Sequence, residues 1–242
     1  MLVRAMYLGL DLEVVEPSSD PLSQIRGNID FAAMTPLQLS QSIAHGHLEK
    51  VKTVLVGGAQ VNPALVKQIH SLKTRVFETW GMTETASHVA IRPLNGVNRS
   101  DYFSALPGVR FSQDERSCLI VLADHLGGKA IVTNDVVQLL NHHAFCWLGR
   151  YDNVINIGGV KIFPEVVEQK LAIHLAGRQF YITAIADEAL GEKVVLLIEG
   201  ELFPLPREIW VSLTKYEKPR AVRFLDRFSR TDNGKIIRGS TL

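Results

Sequence analysis

The sequence predicts an α/β protein in three stretches: part of a large parallel sheet, an antiparallel β region, and a small α+β module at the C-terminal end. Three observations carry this. A strand–helix–strand pattern runs from Thr53 to Thr79, the signature of a right-handed crossover between parallel strands. Short apolar runs broken by polar or glycine residues fill Val109–Leu148, a spacing that favours hairpins over crossovers. After Arg150 a helical pattern is followed by well-separated strand patterns, enough chain for a small core of its own.

The elements follow in order. Thr53–Val56 is a β-branched and apolar run stopped by Gly57-Gly58, which reads as a buried strand. Asn62 offers an N-cap and Pro63 a first helical position, with Leu65, Ile69 and Leu72 on one face. Arg75–Thr79 is the next strand. Val109–Ser112, Leu119–Leu122, Ala130–Thr133, Val136–Leu140 and Phe145–Leu148 read as antiparallel strands, with Asp114-Glu115-Arg116 as a turn. Pro164 opens a helix carrying Val167, Leu171 and His174/Leu175 at the helical period. Phe180–Ala186, Lys193–Glu199 and Ala221–Leu225 are expected strands, and Leu205–Thr214 an expected helix. No internal repeat or low-complexity tract occurs.

Composition narrows the function classes. In 242 residues there are 26 Lys and Arg against 25 Asp and Glu, a net charge of +1, so the electrostatic footprint of a nucleic-acid binder is missing. Two cysteines, Cys118 and Cys146, make no disulfide framework and fit a reducing compartment. The apolar run Ala5–Leu10 is too short for a signal-peptide core. Phe31–Leu48, the longest stretch without Asp, Glu, Lys or Arg, carries Pro36, Gln38, Gln41, His45 and His47 and would not sit in a bilayer. The expectation is a soluble, cytoplasmic protein.

No P-loop and no GxGxxG after a strand is present. His45-x-His47 and His142-His143 lack a Cys or carboxylate at ligand spacing, so exposed or core-satisfied histidines are expected rather than a metal site. Three other segments draw attention. Trp80-Gly81-Met82-Thr83-Glu84-Thr85 puts hydroxyls and a carboxylate just after a strand, where ligands gather in open α/β sheets. The others are Gly149–Ile162 at the boundary of the last module, and Arg230-Thr231-Asp232-Asn233-Gly234-Lys235 near the C-terminus. Read singly, these are also a capped loop, a polar hairpin and a solvated turn.

Together, their order and spacing resemble the adenylate-forming superfamily of acyl- and aryl-CoA ligases, adenylation domains and luciferases. The resemblance covers the chain from Gly57 onward. Thr83-Glu84 matches the aromatic-Gly-x-Thr-Glu motif, Thr133-Asn134-Asp135 the ribose-binding motif, Gly149-Arg150-x-Asp152 the hinge motif, and Asn233-Gly234-Lys235 the catalytic-lysine motif. Gly81–His88 and Arg150–Asn156 look most like the o-succinylbenzoate–CoA ligase branch, which serves menaquinone synthesis.

The resemblance implies an AMP-forming acid–CoA ligase using ATP, Mg²⁺ and CoA on a small carboxylic acid, with residues 1–150 in the large AMP-binding domain and 151–242 in a small mobile one. Lys235, Glu84 and Thr83 would be catalytic, with Glu84 on the metal. Gly58, Ala59, Trp80, Gly81, Asp135 and Arg150 would bind the nucleotide, and Gly158 and Gly159 the pantetheine arm. Asp152 would be the hinge, with Thr35 and His88 in the acyl pocket. The superfamily's Ser/Thr/Gly-rich phosphate loop has no counterpart upstream of Gly57. That departure predicts an N-terminally incomplete large domain, with exposed apolar surface and a tendency to form homo-oligomers. Ser229 where a proline often stands, and Asn134 for a common glycine, are milder departures.

Overall fold

The computed structural model describes residues 2–175, 177–188, 190–231 and 236–238. Its first stretch contains α1 (Leu2–Leu8), β1 (Ile29–Met34), α2 (Pro36–Ala44), β2 (Val51–Val56), α3 (Pro63–Ile69) and β3 (Arg75–Gly81). The three strands are parallel neighbours, with Met34 level with Val56 and Val56 level with Glu78. Helix starts are written in the sequence. Thr35 caps α2 by a reciprocal pair with Gln38, whose N–H donates to Thr35 Oγ1 at 3.3 Å. Asn62 Oδ1 accepts from Ala64 N at 2.7 Å ahead of Pro63. Leu39, Val54, Val56, Leu65, Ile69 and Val76 form the shared core, and Leu72 packs on it from beyond the end of α3.

The antiparallel region comprises β4 (His88–Pro93), β5 (Phe103–Ala105), β6 (Val109–Gln113), β7 (Cys118–Ala123), β8 (Ala130–Asn141) and β9 (Ala144–Arg150). It is fused to the parallel strands in one nine-stranded sheet, ordered β1-β2-β3-β4-β5-β9-β8-β7-β6. Phe145 anchors its core between Phe103 and Phe111, at ring distances of 5.5 and 5.0 Å. One expectation is corrected here: Ala130–Thr133 and Val136–Leu140 are a single strand, β8. The polar Asn134-Asp135 pair does not break it, because Asp135 N donates to Thr133 Oγ1 and the Asp135 carboxylate finds a partner on β9. The turn at Asp114–Arg116 forms as expected: Asp114 Oδ1 accepts from the Arg116 and Cys118 N–H groups.

The final stretch holds a hairpin, β10 (Ile155–Ile157) and β11 (Val160–Ile162), then α4 (Pro164–Leu171), β12 (Phe180–Asp187), β13 (Gly191–Glu199) and β14 (Ala221–Leu225). The last three form a sheet ordered β12-β13-β14, antiparallel then parallel. Along β13, Val194, Leu196 and Ile198 face one apolar cluster and Val195 and Leu197 another, so the strand is apolar throughout because both its faces are covered. Leu205–Thr214 is not the expected helix; only the 3₁₀ turn Arg207–Trp210 forms. Pro206 holds an extended backbone and biases Leu205 away from helix, while Ile209 and Val211 are β-branched. Ile209 and Leu213 still reach the core.

Candidate functional site

In open α/β sheets ligands settle beyond the carboxyl ends of the parallel strands. Here those ends are Met34-Thr35, Val56-Gly57 and Trp80-Gly81, and two cavities open there, sharing the wall at Thr79. Thr79 Oγ1 donates to Val56 O at 3.1 Å, and a Cβ on Gly57 would sit 2.5 Å from that hydroxyl. A side chain at position 57 would therefore close the seam between the cavities.

The first cavity, about 250 Å³, is lined by Gly58, Ala59, Trp80, Gly81 and Asp135 among others, so five of the eight expected nucleotide and pantetheine residues meet in one place. Gly58 has φ +84° with open space at its Cβ position, a conformation that glycine adopts without strain. Gly81 is a packing requirement. A Cβ there would strike Ser87 O and the His88 backbone, where β3 bulges and the chain doubles back through Ala86 at φ +60°. Asp135 is buried, its Oδ1 accepts from Trp147 Nε1 at 3.0 Å, and Arg150 Nη1 stands 3.6 Å away. Among the described residues Asp135 Oδ2 makes no hydrogen bond.

Sequence reasoning missed the buttress behind this cavity. Buried Glu78 accepts from Val61 N at 3.0 Å through Oε1 and pairs with Arg92 through Oε2, fixing the 58–61 loop over the sheet. The alternation of β3 gives Glu78 an inward direction, but no local pattern names Arg92 as its partner.

The second cavity, about 290 Å³, contains Thr35 and His88 together with Arg4, Phe31, Met34 and Gln38. Arg4 Nη2 donates to Ser87 Oγ at 2.7 Å. Burial, and then the Arg4 charge, hold the His88 imidazole below its usual range, so it is neutral at pH 7 and the guanidinium is the cation of this cavity. Arg4 was also missed: it is separated by 83 residues from Ser87.

Other expected residues stand elsewhere. Thr83 and Glu84 are exposed on the 3₁₀ turn Thr83–Thr85 that follows β3, and Glu84 has no hydrogen bond or ion pair among the described residues. Gly158 and Gly159, at φ +54° and +88°, turn the β10–β11 hairpin, whose two-residue loop requires such angles. The hairpin is seated by Gly158 N on Leu190 O at 3.0 Å and lines neither cavity. Asp152 lies in the turn Tyr151–Asn153, where Asn134 Nδ2 donates to its Oδ2 at 3.4 Å. Next to it Asn153 donates to Glu165 of α4, whose carboxylate fills the space a Gly149 side chain would need. Lys235 lies outside the described residues.

The histidine expectations divide. His142 and His143 each place Nδ1 3.2 Å from a backbone carbonyl, of Phe111 and Val109. His45 and His47 need correction: the fold brings Asp20 to both, from 25 and 27 residues away. No helix among the described residues is long and apolar enough to cross a membrane.

Two cavities thus meet at the carboxyl edge of the parallel strands, the first lined by Asp135 and the second by Arg4. The 2-succinylbenzoate–CoA ligase of Escherichia coli K12 is 29% identical over 251 residues, covering 96% of this chain and 54% of that protein. An AMP-forming acyl-CoA synthetase/AMP-acid ligase II-like protein from Dyadobacter fermentans is 39% identical with a TM-score of 0.56, covering 93% of this chain and 68% of that one. The structure of E. coli MenE with a phenylether-linked analogue of OSB-AMS has a TM-score of 0.69 at 26% identity, with 93% and 53% covered. No family model matches the chain. The chain belongs to the AMP-forming acyl-CoA synthetase family, and it spans about half the length of the curated relatives it matches.

Proposed function

We propose that the chain holds an acyl-adenylate and acts as an ATP-dependent acid–CoA ligase on 2-succinylbenzoate, in the cytoplasm where ATP and CoA are at hand. The observation that carries this reading is the pair of cavities meeting at Thr79. The first would take the AMP portion: Asp135 Oδ2 accepts ribose hydroxyls, Arg150 flanks the same sugar, Trp80 offers an aromatic face, and the Gly58-Ala59 backbone approaches the base. The second would take the acid, with the Arg4 cation facing a second carboxylate beyond the aromatic ring. A close curated relative is named for that dicarboxylic substrate.

Glu84 and Thr83 supply oxygen donors on the turn that follows Gly81, and the uncommitted Glu84 carboxylate suits Mg²⁺, which takes one or two carboxylates plus phosphate oxygens. When bound, the metal neutralises charge on the phosphates. Lys235 places a cation against the charge that develops as the substrate carboxylate attacks the α-phosphorus of ATP and pyrophosphate leaves. Arg238 donates to both oxygens of Glu168 on α4, at 2.8 and 2.7 Å. Residues 151–242 form the small domain, which swings about Asp152 to exchange Lys235 for the Gly158-Gly159 hairpin when CoA thiol attacks the adenylate. The exposed apolar side chains of α1, Val3, Met6 and Tyr7 among them, support self-association.

Lys235→Ala separates a ligase from a protein that only binds adenylates. The ligase reading expects acid-dependent adenylation to fall by roughly two orders of magnitude, with binding of a non-reactive adenylate analogue unchanged. An unaltered adenylation rate, or no adenylation by either protein, contradicts catalysis by this lysine.

A further inference from the structure

Away from both cavities, at the opposite end of α2 from Thr35, the structure assigns a divalent transition-metal site to Asp20, His45 and His47, and we propose Zn²⁺ as its ion. The two imidazole Nδ1 atoms converge on one oxygen, Asp20 Oδ2, at 2.9 and 2.8 Å, and all three ligand atoms lie within 4.8 Å of one another. The arrangement is built on short, fixed elements. His45 caps the C-terminus of α2, His47 opens the 3₁₀ turn His47–Lys50, and Gly46 between them takes φ +71°, which turns both rings toward the same carboxylate. Asp20 is held from behind, since buried Ser42 donates to its other oxygen, Oδ1, at 3.1 Å. A hydroxyl that fixes the non-ligating oxygen and leaves the other for the metal is a recurrent outer partner of carboxylate ligands.

Charge points the same way. The Asp20 side chain is only 13% exposed, yet it has no Lys or Arg partner among the described residues. The nearby Lys50 ammonium is spent on the carbonyls of Leu22 and Ile25. A divalent ion at the centre of the triad would supply that missing cation. Each imidazole would bind through Nδ1 as the Nε2–H tautomer, and water would complete a four-coordinate shell. Bonds of about 2.0–2.2 Å to N and O ligands place ligand atoms about 3.3 Å apart, so the present contacts need open by only about half an ångström. Two imidazoles favour Zn²⁺ over Mg²⁺ or Ca²⁺, which prefer all-oxygen shells. The ion would clip the segment between α1 and β1 onto α2, a structural role independent of adenylate binding.

The test is thermal unfolding of the whole chain, first stripped with EDTA and then titrated with ZnCl₂, beside MgCl₂ as control. At a hundredfold excess over Kd, Zn²⁺ is expected to raise Tm by about 5 °C or more, and Mg²⁺ to leave it unchanged. His45→Gln and His47→Gln retain a hydrogen-bond donor for Asp20, so each should fold in EDTA with a wild-type spectrum and lose the Zn²⁺ response. Co²⁺ should give wild type, but neither variant, visible absorption of four-coordinate intensity. No Tm rise with Zn²⁺ in wild type overturns the site. A rise that persists in both variants does so as well, because it assigns the ion to other residues.

Discussion

Trp147 on β9 donates its indole N–H to Asp135 on β8 at 3.0 Å, although the ladder pairs Asp135 with Arg150 and Trp147 with Val137. The register shift between Val136 and Val137 brings the indole back to the carboxylate. One oxygen of Asp135 is thereby fixed at the wall of the first cavity and the other makes no hydrogen bond among the described residues, so the carboxylate is oriented before any ligand arrives. Pre-orientation of this kind lowers the ordering cost of binding.

Trp147→Phe keeps the ring and removes the donor. A hydrogen bond to a charged group contributes about 1.5–3 kcal/mol, so adenylate-analogue affinity should weaken by at least about tenfold in calorimetry. Unchanged affinity would show that Asp135 needs no such support.

Gly81→Ala tests the close approach behind the Thr83–Thr85 turn. The added methyl meets backbone at Ser87 and His88 rather than a movable side chain, so the β3 bulge must shift. Urea denaturation should show a loss of about 1–3 kcal/mol. A neutral effect would contradict the tight doubling-back that places His88 in the second cavity.

Glu168 makes stability depend on pH. Burial pushes its carboxyl up to about 7, against the pull of Arg238 and the Ile182 N–H. Its pKa in the folded chain exceeds that in the unfolded chain, so the folded state binds more protons between about pH 4.5 and 7. Stability from this group is complete below that window and is lost as pH rises through it, by an amount on the order of 1–3 kcal/mol. Urea titrations at pH 5 and 7.5 should show the decline in wild type and a flatter profile in Glu168→Gln. Equal slopes in the two proteins would remove Glu168 as the cause.

Local chemistry explains what was legible in the sequence. Gly57-Gly58 after a β-branched run, Pro63 after Asn62, and Pro164 before a 3.6-residue period all fix structure within a few residues. The strand forms and both helices start where expected, but α3 ends at Ile69 and α4 at Leu171, short of the expected Leu72 and His174/Leu175. β13 read correctly as a strand because an apolar run packed on both faces needs no alternation. Leu205–Thr214 is not the expected helix because Pro206 is extended and biases Leu205 away from helical backbone. β1 was not anticipated, because Asp30 and Phe31 interrupt the pattern of this edge strand, and α2 was overlooked although Thr35, Pro36 and Gln38 carry a local helix-start signal. The site divides the same way. Gly58, Ala59, Trp80, Gly81 and Asp135 meet in the first cavity and Thr35 and His88 in the second, whereas Thr83, Glu84, Gly158 and Gly159 line neither. Arg4 against Ser87, Arg92 against Glu78 and Asp20 against two histidines are tertiary pairings with no local trace.

Calorimetric binding of a non-reactive succinylbenzoyl-adenylate analogue, with a benzoyl-adenylate analogue beside it, tests the two-cavity account most directly. The account predicts tighter binding of the succinylbenzoyl compound, and an Arg4→Gln variant in which that preference shrinks by roughly tenfold while benzoyl-adenylate affinity holds. Equal affinity for both analogues in wild type, or a preference untouched by Arg4→Gln, would contradict the assignment of the second cavity to a dicarboxylic acid.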